Sequence, residues 1–371
     1  MKRLLILSVD ALSPPLSGIG RYAWELASRL PLTRSIDVVR YMRQGRWIEN
    51  PAVLLDPACR LPRKSWLQRR EPKLVANWRL RQQCRGALFH GPNYFLPEYI
   101  DIGVATIHDL SIFRFPETHP LERIKQFEAN FATTLARAAH LITDTEAIRR
   151  EVIEMFGWPE DRISAVHLGV GSGYRPHDDY ETTNVLARFR LCHGRYSLCV
   201  ATIEPRKNID LLLDAYRELP SAMRSQFPLV LIGNEGWQSG QLHDRIKAFC
   251  AEGWLHYLKF VPEADLPMLY AGARLFVYPS RYEGFGLPVL EAMASGVPVI
   301  SSTDPALVEV GGDATWQICP EDRTAFIQAL EQGLEDELWR GGAQSKGLSR
   351  AQRFTWEACV EETVRVYQKV L

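Results

Sequence analysis

Short apolar runs alternate with helix-patterned stretches along this chain, and the alternation runs through twice. In the first half Leu4 to Val9, Ile36 to Tyr41, Ala87 to Phe89, Gly103 to Ile107 and His140 to Thr143 read as buried strands. Between the first two, Gly20 to Leu30 carries Tyr22, Leu26 and Leu30 at helical spacing. The pattern restarts at Leu198 to Ala201. It continues through Leu229 to Ile232, Leu258 to Val261, Leu275 to Tyr278 and Val297 to Ile300, with helical stretches such as Ile209 to Glu218 between them. Strands that are apolar on both faces and separated by helices predict parallel sheets covered on each side. The expected class is therefore α/β, with two doubly wound, Rossmann-like domains. A length of 371 residues agrees, because single cores stop growing near about 250–300 residues. The Gly- and Pro-containing stretch Gly169 to Pro176 is the expected hinge, which divides the chain into domains 1–173 and 174–349.

Composition narrows the functional classes. Lys plus Arg and Asp plus Glu both total 44, so the net charge is zero and a general nucleic-acid binder is disfavoured. Seven cysteines without a C-x-x-C pair leave one unpaired in any full disulfide scheme, which predicts a reduced, cytoplasmic protein. Leu4 to Val9 is too short for an export segment, and no apolar run approaches the roughly 20 residues that cross a bilayer. The chain has no D-x-D, no H-E-x-x-H and no paired Cys/His set, so no metal and no cofactor is expected.

Glu283 and Glu291 stand with seven residues between them, around the turn Gly284-Phe285-Gly286-Leu287-Pro288. The turn follows the strand-like Leu275 to Tyr278, and Pro288 suits the first turn of a helix that Gly296 and Pro298 would stop. A helix start offers free N–H groups and a positive dipole end to a phosphate, while glycines let backbone approach a ligand. Glu283 would then lie near whatever the phosphate carries, and Glu291 would accept from hydroxyls farther along. Together these features predict a sugar-nucleotide site. Arg206 and Lys207 follow another strand at the start of a helix, where cations and dipole converge on a diphosphate. Gly18 and Gly20 follow the first strand and open a helix, and His108 with Asp109 ends a buried-looking strand.

The segment Ser280 to Ala294 resembles the donor-site signature of retaining glycosyltransferases of family 4, which have the two-domain GT-B fold. Ser17-Gly18-Ile19-Gly20 is similar to that family's first glycine loop, and Thr106 to Leu110 to its His-Asp motif. Glu204-Pro205-Arg206-Lys207-Asn208 resembles its diphosphate clamp, and Leu266 to Tyr270 the helix start beside its base pocket. The resemblance implies two domains facing a central cleft, with the last helix, 350–371, crossing back to the first. It implies Glu283, Lys207, Arg206 and His108 as catalytic residues, His108 touching the donor sugar. Gly18, Gly20, Gly284, Phe285, Gly286, Leu287, Glu291 and Val261 become the donor- and nucleotide-binding set. No second carboxylate is an obvious nucleophile, which favours front-face substitution over a double displacement. Within such a site, loss of Glu283 or Lys207 is expected to abolish transfer and leave the fold intact.

The stretch Arg60 to Arg85 carries nine basic residues against Glu71 alone, with Trp66 and Trp78 interleaved. A solvated surface and an anionic membrane surface both suit that composition. The expected activity is a retaining, metal-independent hexosyl transfer, with GDP-mannose as the donor on the resemblance. The acceptor is a polyprenyl-diphosphate-linked saccharide of O-antigen or related polysaccharide assembly. A nucleotide-sugar epimerase of the same fold and a non-catalytic membrane-associated scaffold are the alternatives.

Overall fold

The computed structural model describes residues 3–59, 71–118, 121–236 and 240–371. They form two compact units: Met1–Leu110 with Pro120–Leu168 and Trp356–Leu371, and Ser111–His119 with Gly169–Thr355. The divisions fall at 168/169 and 355/356, against 173/174 and 349/350 from the sequence. The segment 111–119 goes with the second unit, which nothing in the sequence indicates.

In the first unit the strands are β1 (Leu4–Ser8), β2 (Val38–Arg43), β3 (Arg46–Ile48), β4 (Leu88–Gly91), β5 (Gly103–Ile107), β6 (Ala138–Thr143) and β7 (Ile163–Ala165). Their order is β3-β2-β1-β4-β5-β6-β7, parallel throughout except for the β2–β3 hairpin. Gln44 and Gly45 turn that hairpin with φ of 49° and 73°, the left-handed pair a two-residue loop needs. Leu5, Ile6 and Leu7 of β1 are wholly buried, as a strand covered on both faces must be. The helix Gly18–Arg29 buries Tyr22, Ala23 and Leu26 and packs against the last helix, Trp356–Val370. That last helix buries Val360, Thr363, Val364 and Tyr367, a stripe at helical spacing. The Tyr367 hydroxyl sits 2.6 Å from His90 Nδ1, tying the helix to β4. The C-terminal helix thus belongs to the first unit.

In the second unit β8 (Ser197–Val200), β9 (Leu229–Ile232), β10 (Leu255–Leu258), β11 (Leu275–Tyr278), β12 (Val299–Ser302) and β13 (Thr315–Ile318) form an all-parallel sheet ordered β10-β9-β8-β11-β12-β13. β10 lies three residues earlier than the pattern at Leu258 to Val261 suggests. Trp254 and Leu255 are the buried pair there, whereas Phe260 is 62% exposed. Each sheet reverses direction once, between β1 and β4 and between β8 and β11. A crevice outside the carboxyl ends of the strands opens at such points, and α/β sheets take ligands there.

Candidate active site

Both of the second unit's chemical loops leave from strands that flank its switch point. Lys207 closes a 3-10 turn, Pro205–Lys207, after β8, and Glu283 lies in the loop between β11 and the helix Leu287–Ala294. Asn208 ends that turn in the left-handed region, φ 55°, and opens the helix Ile209–Glu218. Backbone contacts stitch the two loops together. The Arg281 N–H donates to the Arg206 carbonyl at 2.9 Å, and Arg206 Nη1 donates to the Tyr282 carbonyl at 2.7 Å.

Lys207 Nζ donates to Glu283 Oε1 at 2.6 Å, and Arg206 Nη1 lies 3.7 Å from Glu283 Oε2. Both members of the pair are over nine-tenths buried. Lys207 Nζ also reaches the Tyr278 hydroxyl at 3.3 Å, and Arg206 Nη2 donates to Glu204 Oε1 at 2.8 Å. Burial alone pushes the Glu283 carboxyl up; Lys207 and Arg206 outweigh it and hold the group below the ordinary glutamate range. The carboxylate is therefore charged and oriented before any ligand arrives.

Sequence reasoning passed over Asp304, which follows β12. Its carboxylate accepts from the Ala306 and Leu307 N–H groups at 3.0 and 3.1 Å and from the Glu283 N–H. Burial and then the Glu283 charge push its carboxyl up to about 7. Its only linear signal is the cap-like Asp304-Pro305 step, which does not tell that the same carboxylate holds the Glu283 loop.

The other expected donor residues divide. Glu291, half-buried on the helix Leu287–Ala294, faces the buried Tyr270 hydroxyl. Leu287 is half-buried at that helix's start, and Pro288 follows it. Gly286 has φ 98°, and a Cβ there would stand 2.3 Å from Leu307 Cδ2, so packing and backbone geometry already demand glycine. Gly284 is buried in the same loop, and Phe285 packs edge-on against Phe354 at 5.9 Å, as a core residue. Val261 is half-buried in the loop after β10.

In the first unit Ser17 caps the helix Gly18–Arg29, its Oγ accepting from the Gly20 N–H at 3.2 Å. The helix starts at Gly18, two residues earlier than its periodicity suggests, and the Gly20 N–H assigned to a diphosphate already has a partner. His108 follows β5. Its Nδ1 is 2.7 Å from Asp144 Oδ2 and its Nε2 is 2.9 Å from the Pro92 carbonyl. A carbonyl only accepts, so Nε2 donates, and the carboxylate takes a proton from Nδ1. Burial opposes the imidazolium, but Asp144 prevails and the His108 pKa is raised. With both ring nitrogens engaged, the His108 side chain offers no lone pair to a substrate proton; its backbone carbonyl is what remains. Among the described residues no group of three or more His, Cys, Asp or Glu side chains converges as a metal site.

Solved structures resemble the whole chain in fold. WaaG, a glycosyltransferase involved in lipopolysaccharide biosynthesis, matches with a TM-score of 0.73 at 16% identity, covering 98% of this chain and 99% of its own. The Anabaena protein Alr3699/HepE in complex with UDP-glucose matches with 0.73 and 16%, over 99% of this chain and 100% of that one. Two parallel-sheet Rossmann-like units with these neighbours define the GT-B glycosyltransferase architecture. Residues 193–354, the span that holds Arg206, Lys207, Glu283 and Glu291, match the family described as Glycosyl transferases group 1. Over 377 aligned residues the chain is 39% identical to O-antigen chain mannosyltransferase B of Escherichia coli, covering 98% of this chain and 99% of that protein. The chain belongs to the group 1 glycosyl transferases.

Proposed function

We propose that the enzyme moves mannose from GDP-mannose to a lipid-linked saccharide, with retention and without a metal, in assembly of an O-antigen or related polysaccharide. The Lys207–Glu283 pair at the switch point carries this reading, in a chain 39% identical to an O-antigen mannosyltransferase. Departure of the nucleoside diphosphate is the step that needs charge stabilisation. Lys207 and Arg206 supply it: the diphosphate draws Lys207 away from Glu283, and the freed carboxylate accepts from sugar hydroxyls. Glu291 takes the ribose hydroxyls. Asp304, the neighbouring carboxyl, is committed to three backbone N–H groups. It is therefore a poor nucleophile, which favours front-face substitution over a covalent intermediate.

The acceptor's lipid brings the enzyme to an anionic membrane surface. On the helix Lys73–Cys84, Leu74, Val75 and Trp78 are 83%, 49% and 64% exposed, an exposed apolar stripe. Lys73, Arg79 and Arg81 are paired with Glu98, Glu71 and Asp101. The basic residues from Arg60 to Arg70, with Trp66, lie outside the described residues. Peripheral docking here rests on the apolar stripe as much as on charge. No helix among the described residues is long and apolar enough to cross a membrane.

Incubating the enzyme with a polyprenyl-diphosphate-linked saccharide and each of GDP-mannose, UDP-glucose and ADP-glucose tests the reading. Transfer from GDP-mannose, with an α-anomeric product by NMR, is expected. Preference for another donor, or the β-anomer, would overturn it.

A further inference from the structure

The second unit holds a cavity of about 710 Å³ at the outer edge of its sheet, away from the donor residues. Trp316 on edge strand β13 and Trp339 on the helix Glu337–Ala351 form one wall, ring centroids 5.3 Å apart and planes inclined by 57°. Both rings are half-exposed. The cavity adjoins the turn Gly312–Ala314 that enters β13, so it opens toward the amino end of that strand. Glu283 lies beyond the carboxyl end of β11, at the opposite end of the parallel strands.

The cavity's polar lining is neutral in sum. Lys346 and Asp313 stand 3.5 Å apart and cancel. Gln317 Nε2 donates to the Gly312 carbonyl at 2.7 Å, which holds the amide in place. Next to Trp339 the helix presents glycine. Gly341 and Gly342 sit in the interior of a fifteen-residue helix, and a Cβ on either would meet nothing within 4 Å. Glycine weakens a helix relative to alanine, and no contact here demands it. At Gly342, which lines the cavity, the absent side chain leaves room beside the tryptophans.

Two aromatic faces suit the C–H face of a pyranose, and the fixed Gln317 amide beside a cancelled charge pair suits neutral hydroxyls rather than a phosphate. The volume falls within the range of small-molecule sites, roughly 300–1,000 Å³. We propose that this cavity binds a neutral saccharide, a stretch of the glycan being extended, held on the far side of the sheet from the donor. The identity of that glycan rests on the reading above; the binding chemistry does not.

An α-linked mannotetraose titrated into the full chain, read by calorimetry and saturation-transfer NMR, is the test. Wild type is expected to bind, and Trp316→Ala and Trp339→Ala to weaken binding by about tenfold or more, as loss of a stacking face should. Glu283→Ala, altered only at the donor site, keeps this binding. Gly342→Leu pushes a side chain into the cavity beside the tryptophans without removing a core side chain; it should lose the ligand while melting no lower than wild type, and it decides the matter if the tryptophan variants misfold. Transfer to a short acceptor should be unchanged in Gly342→Leu, while the KM for a long acceptor rises. Absence of mannotetraose binding, or equal binding by Gly342→Leu and wild type, overturns the proposal. So does a self-association that Trp316→Ala abolishes, which would assign the edge to a second copy. Loss of GDP-mannose turnover with mannotetraose binding intact would count against the proposed donor and leave this site standing.

Discussion

Replacing Lys207 by Met should lower stability as well as activity, contrary to the expectation that the fold stays intact. In wild type Lys207 Nζ holds Glu283 Oε1 at 2.6 Å, both groups over nine-tenths buried. Removing the cation leaves a buried carboxylate whose nearest remaining cation is Arg206, at 3.7 Å. Breaking one side of a buried pair costs about 3–5 kcal/mol, and Arg206 puts this case at the lower end, about 3 kcal/mol. Glu283→Gln should cost less, since the amide retains an acceptor for Lys207. The double variant Lys207→Met with Glu283→Gln removes both charges and should recover about 2 kcal/mol of the single loss, because neither buried charge is then stranded. Transfer should not recover: in the proposed mechanism each group also touches the reacting donor, and losing one such contact costs on the order of 100-fold. Denaturant midpoints of the four proteins, followed by circular dichroism, give the coupling, and turnover of GDP-mannose gives the activity. The pH dependence has a definite sign. Glu283 lies below its ordinary value in the folded state, so its contribution is present above the unfolded glutamate pKa and is lost as pH falls through the folded one. Additive stability losses, with coupling under about 0.5 kcal/mol, would show that the pair is not energetically linked and refute the argument.

Asp304→Asn should flatten the pH profile of stability. The folded carboxyl sits at about 7 against an ordinary 3.8, so the native state binds the extra proton between those values and loses stability as pH rises through that window; unfolding midpoints at pH 4.5 and 7.5 should converge in the variant. Transfer should survive EDTA, since Lys207, Arg206 and helix ends supply the charge; a strict requirement for Mg²⁺ or Mn²⁺, restored on adding the ion back, would contradict this. Leu74→Glu with Trp78→Glu should abolish flotation with anionic liposomes at physiological salt while donor turnover in solution persists; unchanged flotation would return the stripe to an ordinary solvated face.

Buried parallel strands are legible in a linear chain because a strand covered on both faces is a nearly continuous apolar run, as β9 and β11 are throughout and β1 is from Leu4 to Leu7. The strands that escaped reading lie at sheet edges. β3 and β7 are only three residues long, and all three, β13 included, mix polar with apolar residues and are only partly buried. In β10 the exposed Phe260 drew the reading three residues too far.

Local chemistry and order were written in the sequence itself: the glycine turn between Glu283 and Glu291, the basic pair after a strand, and the apolar stripe of the last helix. These are patterns over a few residues, where backbone conformation and helix periodicity act. What the tertiary structure alone decided is which groups meet. Lys207 and Glu283 are 76 residues apart in the chain and 2.6 Å apart in space, and Asp304 reaches the Glu283 loop from another strand. Likewise His108 meets Asp144 and Pro92, which removes its ring from proton transfer. Such pairings follow from strand order, because β8 and β11 become neighbours only when the sheet reverses. A linear pattern carries the ingredients of each loop, but not the fold-level adjacency that turns two separate charges into one buried pair.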